Sequence, residues 1–228
     1  MSIAGLDVAL SLAPRRRTSA STMAMAFEMS LECRDLTVRR AGRDVLAGAG
    51  FALTPGKVLM VRGANGSGKT SLLRALAGLA QAEGEIIFRR GIQVLDAGYI
   101  RAEEIHYIGV EPGLSSRLTV EENADFIADF YGGTLRDSLR VLGLHRLGQS
   151  RAGQLSSGQR KRLSFLRLIV SPRALWLLDE PFAALDDEGQ DLVRTLIDGH
   201  CSRGGVAVIA LHDQDGIPGA RTITVKAA

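Results

Sequence analysis

Between residues 31 and 225, short apolar runs alternate with stretches whose apolar residues recur every three or four positions, and glycine-rich breaks separate the two. Short apolar or alternating runs predict strands, and the longer spacing predicts helices. Strands are predicted at 31–38 and 45–53, joined by the turn-like Ala41-Gly42-Arg43-Asp44 into an antiparallel pair. The runs at 57–62, 174–178 and 206–211 are continuously apolar, the pattern of strands covered on both faces. The segment 112–154 carries helical spacing with Leu and Phe and no strong strand signal, which predicts a helical insertion. Together these elements predict an α/β fold with a largely parallel core sheet, an antiparallel β subdomain and a helical subdomain at about 112–156. One domain is expected over 30–228.

Composition changes little in this picture. Apolar residues make up 46% of the 228 and charged residues 23%, close to the globular average. The net charge of +3 is too small to argue for nucleic acid, and no nucleic-acid partner is expected. Cys33 and Cys201 stand far apart without metal-site or disulfide spacing, which fits a reducing compartment. No apolar run approaches the roughly 20 residues a membrane-spanning helix needs, so the chain is not expected to cross a bilayer. Residues 1–29 read as a leader: Ala, Ser and Thr abound, Asp7 is the one acid before Glu28, and Arg15, Arg16 and Arg17 cluster. The apolar stretch 8–13 precedes those arginines, the reverse of a secretory signal. Two readings of the leader stay open, an organelle transit peptide and a misassigned start upstream of Met23, Met25 or Met29.

Three segments carry chemistry. Gly63-Ala64-Asn65-Gly66-Ser67-Gly68-Lys69-Thr70, followed by Ser71, lies between a predicted strand and a helix with Leu72, Leu73, Leu76 and Leu79 on one face. This is the context of a phosphate-binding loop: backbone N–H groups cradle ATP phosphates, Lys69 reaches the β- and γ-phosphates and Thr70 ligates Mg²⁺. Leu175-Trp176-Leu177-Leu178-Asp179-Glu180 is a buried strand ending in two carboxylates at the ligand-binding edge of such a sheet. Alone, an acidic pair after a strand is usually a solvated turn; behind a phosphate loop, Asp179 suits the Mg²⁺ shell and Glu180 a general base. Leu155-Ser156-Ser157-Gly158-Gln159 opens a helix running through Leu163, Leu166 and Ile169 to Pro172, where it serves as an N-cap or as a second anion site. The run Arg160-Lys161-Arg162 reads as a solvated helix face.

That last segment resembles the signature of the ABC ATPases, with Ser157 where the family has glycine. The resemblance covers most of 31–225 and implies a head-to-tail homodimer that sandwiches ATP between the phosphate loop of one subunit and Ser156, Ser157, Gly158 and Gln159 of the other. By the same resemblance Ala184-Leu185-Asp186 is the D-loop, and His212 is the switch histidine that contacts the γ-phosphate. Two positions depart from the pattern. Glu111 replaces the glutamine that serves Mg²⁺ and the attacking water, and no aromatic is placed to stack on adenine, which leaves Arg39 or Arg40 to cover the base. Within the superfamily the segments 155–163, 176–181, 184–189 and 200–205 are similar to the cytochrome c maturation ATP-binding proteins, the heme exporter CcmA family. This implies an ATPase that works with integral membrane subunits of a heme-handling complex. It would sit peripherally on the cytoplasmic face of the inner membrane, or on the matrix side in a mitochondrion. The chain itself has no Cys-x-x-Cys-His motif and no axial pair for heme, so no direct heme ligation is expected. The alternative is an ABC-type ATPase of a soluble assembly machine, such as one for iron–sulfur clusters.

Overall fold

In the computed structural model, which describes residues 27–135, 137–212 and 216–225, the chain runs first into β1 (Met29–Arg40) and β2 (Arg43–Leu53). There follow β3 (Val58–Arg62), α1 (Lys69–Leu76), β4 (Glu83–Arg90), β5 (Gln93–Val94), α2 (Ala97–Glu103) and β6 (Ile105–Ile108). Next come α3 (Val120–Tyr131), α4 (Ser138–Val141), α5 (Ser157–Ser164), α6 (Leu166–Val170), β7 (Leu175–Asp179), α7 (Asp187–Ser202), β8 (Val206–Ala210) and β9 (Arg221–Thr224).

The strands make two sheets. One is antiparallel in the order β2-β1-β4-β5, and the other is parallel in the order β6-β7-β8-β3-β9. Every residue of β7 and β8 is buried, and their side chains alternate between two apolar layers. Leu175, Leu177, Val206 and Val208 pack with Leu72, Leu73 and Leu76 of α1 and with β1 and β2. Trp176, Leu178, Ala207 and Ile209 pack on the other face with α3, α5, α6 and α7. Burial on both faces is why these strands read as unbroken apolar runs.

Local signals set the helix ends. Thr119 and Glu122 form a capping box on α3, which stops at Gly132 in the left-handed region, and Asp186 caps α7 by accepting from Gly189 N. The helix after the phosphate loop is shorter than expected: it ends at Leu76, the chain turns away, and Leu79 is 64% exposed instead of buried. The helix expected from the signature to Pro172 is broken at Phe165 into α5 and α6. Of the leader expected at 1–29, residues 1–26 lie outside the described residues. Its last residues belong to the folded domain, since Phe27 N donates to Arg203 O and the buried Met29 opens β1.

Two histidines are part of this core. His200 lies flat on Trp176 with centroids 4.0 Å apart, and His106 meets Tyr131 edge-on. His106 Nε2 pairs with Ser171 O, and His200 Nε2 with Val206 O. Burial pushes both rings down from 6.5 to about 3, so both fold neutral. The unfolded chain takes up a proton at each ring below its ordinary pKa, so the stability they contribute is complete above about pH 6.5 and falls as pH drops toward 3. At pH 5 the loss is about 2 kcal/mol per ring. Urea unfolding at pH 7.5 and 5.0 should therefore show a pH effect that shrinks by about 2 kcal/mol in His200→Phe. An equal pH effect in variant and parent would refute the neutral-ring reading.

Candidate active site

Parallel strands deliver their carboxyl ends to one edge, and in this sheet four of those ends carry the predicted residues. β3 ends at Arg62 and leads into the phosphate loop, β7 ends at Asp179, β8 leads to His212, and β6 leads to Glu111. The register levels them: Val61 pairs with Ala210, Asp179 with the same Ala210, and Ile108 with Leu178. Residues separated by more than 100 positions in sequence are thus brought to one rim.

The phosphate loop is tightly packed. Gly68, at φ 99°, caps α1, and a Cβ there would lie 2.2 Å from Val45 O, so the position requires glycine twice over. Lys69 is buried, and its Nζ donates to Gly63 O at 2.6 Å and Ala64 O at 3.2 Å, which holds the ammonium inside the loop that 63–70 forms. Ser67 is buried with a hydroxyl that has no hydrogen-bond partner. Asn65 and Gly66 form the exposed crest of the loop, and Ser71 follows Thr70 in the first turn of α1.

Asp179 is 1% exposed and its Oδ2 has no hydrogen-bond partner. Burial raises its pKa, while a hydrogen bond with Thr70 pulls the other way. A buried carboxylate oxygen without a partner, next to a threonine hydroxyl, is an unsatisfied hard-oxygen set of the kind Mg²⁺ completes, so these residues fit the ion.

Glu180 sits at φ 49°, in the left-handed region that a non-glycine residue seldom adopts. Its N–H donates to Ala210 O, and its Oε1 lies 3.0 Å from His212 Nε2. The strained backbone turns the second carboxylate out of the strand and onto the histidine. Arg62 Nη1 donates to His212 O at 3.0 Å, so the strand before the phosphate loop also holds the histidine's backbone. Glu111 lies on the exposed loop after β6. Arg167 clamps that loop on both sides through Tyr107 O and Pro112 O, at 3.5 and 3.3 Å.

At the start of α5, Ser156 and Gln159 form a reciprocal capping box, while Ser156 and Ser157 are exposed. Gly158 lies so close to Ala184 O that a Cβ would approach to 2.7 Å, which places this segment directly on the turn before Asp186.

Two expectations need correction. Arg160-Lys161-Arg162 is not a solvated face: Arg160 Nη1 donates to Leu155 O, Lys161 is buried, and Arg162 pairs with Asp186 at 3.7 Å. The helix turns this run inward because Lys161 shares a face with Phe165 and Leu168, a spacing visible in the sequence. Arg39, expected to be open to a base, is instead paired with Asp44 and Glu83, each 2.7 Å from its guanidinium. Arg40 is exposed at the strand end.

Comparison with known proteins agrees with this geometry. The ABC transporter family model matches residues 46–183. A cytochrome c biogenesis ATP-binding export protein of Bradyrhizobium diazoefficiens is 44% identical over 192 residues, covering 83% of this chain and 94% of its own. One from Cupriavidus metallidurans is 41% identical over 191 residues, covering 81% and 90%. The chain belongs to the ABC transporter family. Among solved structures, an ABC transporter ATP-binding protein from Pyrococcus furiosus superimposes with a TM-score of 0.74 at 22% identity, covering 87% of this chain and all of that one. A dimeric ATP-binding cassette bound to ADP and Pi does so with a TM-score of 0.73 at 22% identity, covering 86% and 94%. Leu72, Leu73 and Leu76 of α1 pack against strands of both sheets, so the helix that follows the phosphate loop joins them. Membership of the family makes the chain an ABC-type ATPase.

Proposed function

We propose that this chain is the ATP-hydrolysing subunit of an export complex in cytochrome c biogenesis, the role named for its relatives, and that it works as a homodimer on integral membrane subunits. The observation that carries the catalytic part is the placement of Lys69, Asp179, Glu180 and His212 on one rim, with Glu180 and His212 in contact. Gly63, Ala64, Asn65, Gly66, Ser67, Gly68, Lys69, Thr70 and Ser71 cradle the phosphates. Mg²⁺, held by Asp179 and Thr70 with Glu111 as a further oxygen donor, would neutralise charge on the β- and γ-phosphates. Glu180 takes the proton from the attacking water, the water oxygen bonds to the γ-phosphorus, and the bond to the β–γ bridging oxygen breaks. His212, held by Arg62 and Glu180, hydrogen-bonds the γ-phosphate. The exposed Ser156 and Ser157, with Gly158 and Gln159, meet the ATP of the partner subunit, and Asp186 lies beside that contact.

No helix of the described residues is long and apolar enough to cross a membrane, and we place the attachment on a surface. The helical subdomain offers one. Phe126 and Phe130 on α3 are 65% and 70% exposed and stack with centroids 6.2 Å apart. Beside them Leu79, Tyr107, Phe130 and Tyr131 line a groove of about 280 Å³. An exposed aromatic pair next to a groove is the usual form of a docking site for a partner's apolar helix. Phe126→Ser combined with Phe130→Ser should release the chain from membranes of cells that make the whole complex, while its ATPase in solution stays within about twofold of the parent, since exposed positions contribute little to stability. Undiminished membrane co-fractionation of the double variant would argue against this docking face, and a parent chain absent from the membrane fraction would favour the soluble-machine alternative.

A further inference from the structure

The mechanism above leaves one buried charge unused. Lys161, on α5, is 4% exposed, and its Nζ donates to the carbonyl oxygens of Asp179 at 3.3 Å and Gly109 at 3.4 Å. Those carbonyls belong to different strand ends: Asp179 closes β7, and Gly109 directly follows β6 and precedes Glu111 by two residues. The ammonium also lies 5.9 Å from the centroid of the Phe165 ring.

An ammonium taken out of water loses several kcal/mol of hydration, and two long bonds to neutral carbonyls do not replace it. Burial is the larger effect and lowers the Lys161 pKa, and the opposite charges that act against it are those of Asp179 and Glu180. Removal of the cation would take a positive charge away from the buried Asp179 carboxylate, on which the neighbouring Glu180 charge also acts.

We infer that Lys161 is a positioning residue for hydrolysis: its buried ammonium on the signature helix ties the ends of β6 and β7 together and so sets where the Asp179–Glu180 pair stands. It acts through the carboxylates, by way of the two strand-end carbonyls that it holds. The inference rests on the ATPase reading of the site, and its test separates the two.

The test compares Lys161→Met, Lys161→Gln and Lys161→Arg with Glu180→Gln, measuring kcat, KM, binding of a fluorescent ATP analogue and the melting midpoint. Met keeps the apolar stem, Gln keeps a donor without charge, and Arg keeps both donor and charge. Expected is a fall in kcat of about tenfold for Met and Gln, with KM, analogue binding and melting midpoint nearly unchanged, and recovery of most of kcat in Arg. Parental kcat in Met would overturn the inference, and so would recovery in Gln equal to that in Arg. Loss of fold, or parallel loss of binding and turnover, in all three would overturn it as well and make Lys161 a packing residue. Continued turnover in Glu180→Gln would instead bring down the catalytic reading on which the inference rests.

Discussion

Glu180→Gln is expected to stop ATP turnover while leaving ATP binding intact. The amide has the shape of the carboxylate and can still meet His212, which lies 3.0 Å away, but it cannot accept a proton from water. General-base catalysis contributes about 10²- to 10⁴-fold, so kcat should fall by at least about a hundredfold. The phosphate loop and Lys69 are untouched, so binding of the ATP analogue should change by no more than about twofold. The two activities come apart, and with nucleotide held but not cleaved the protein should run as a dimer in ATP and as a monomer without it. Gel filtration with and without ATP, beside a phosphate-release assay, reads both. Parental turnover would remove Glu180 from its role.

The second large effect concerns the cell. Lys69 Nζ reaches Gly63 O and Ala64 O within the loop, so Lys69→Ala removes both the cation and the tie that closes the loop. A hydrogen bond to a charged group is worth about 1.5–3 kcal/mol, which predicts weaker ATP binding by about ten- to a hundredfold. A strain whose only copy carries Lys69→Ala should lose its c-type cytochromes and keep its b-type ones, because heme is still made but not attached. Heme-stained gels and difference spectra of membranes compare the two strains. Normal c-type cytochromes in the mutant would reject the cytochrome c role and leave the ATPase chemistry standing.

Some parts of this structure could be read from sequence because a single physical constraint wrote them there. Burial on both faces made 174–178 and 206–211 continuously apolar, and the close backbone approach at Gly68 wrote itself as a glycine. β4 was not foreseen, since Glu83, Glu85, Arg89 and Arg90 give it the polarity of a loop; it is a strand because β1 pairs along its length. The role of Arg39 depended on Asp44 and Glu83, whose proximity exists only after β2 and β4 have both joined β1. Lys161 had a local signal, its helical spacing to Phe165, but the flanking arginines masked it. Its carbonyl partners come from two other strand ends, which no local pattern could name.

The position of β3 between β8 and β9 has a consequence for how the protein is made. The strand that carries the phosphate loop is made about 150 residues before its two neighbours, 206–210 and 221–224. Until then β3 is an unpaired edge waiting on a loop closure of about 150 residues, the kind of long-range pairing that is slow and exposed to aggregation. A chain cut short before β8 has the whole phosphate-loop motif in its sequence and no sheet to hold it. The phosphate loop, although continuous in sequence, therefore depends for its supporting strand on residues that lie far beyond the motif.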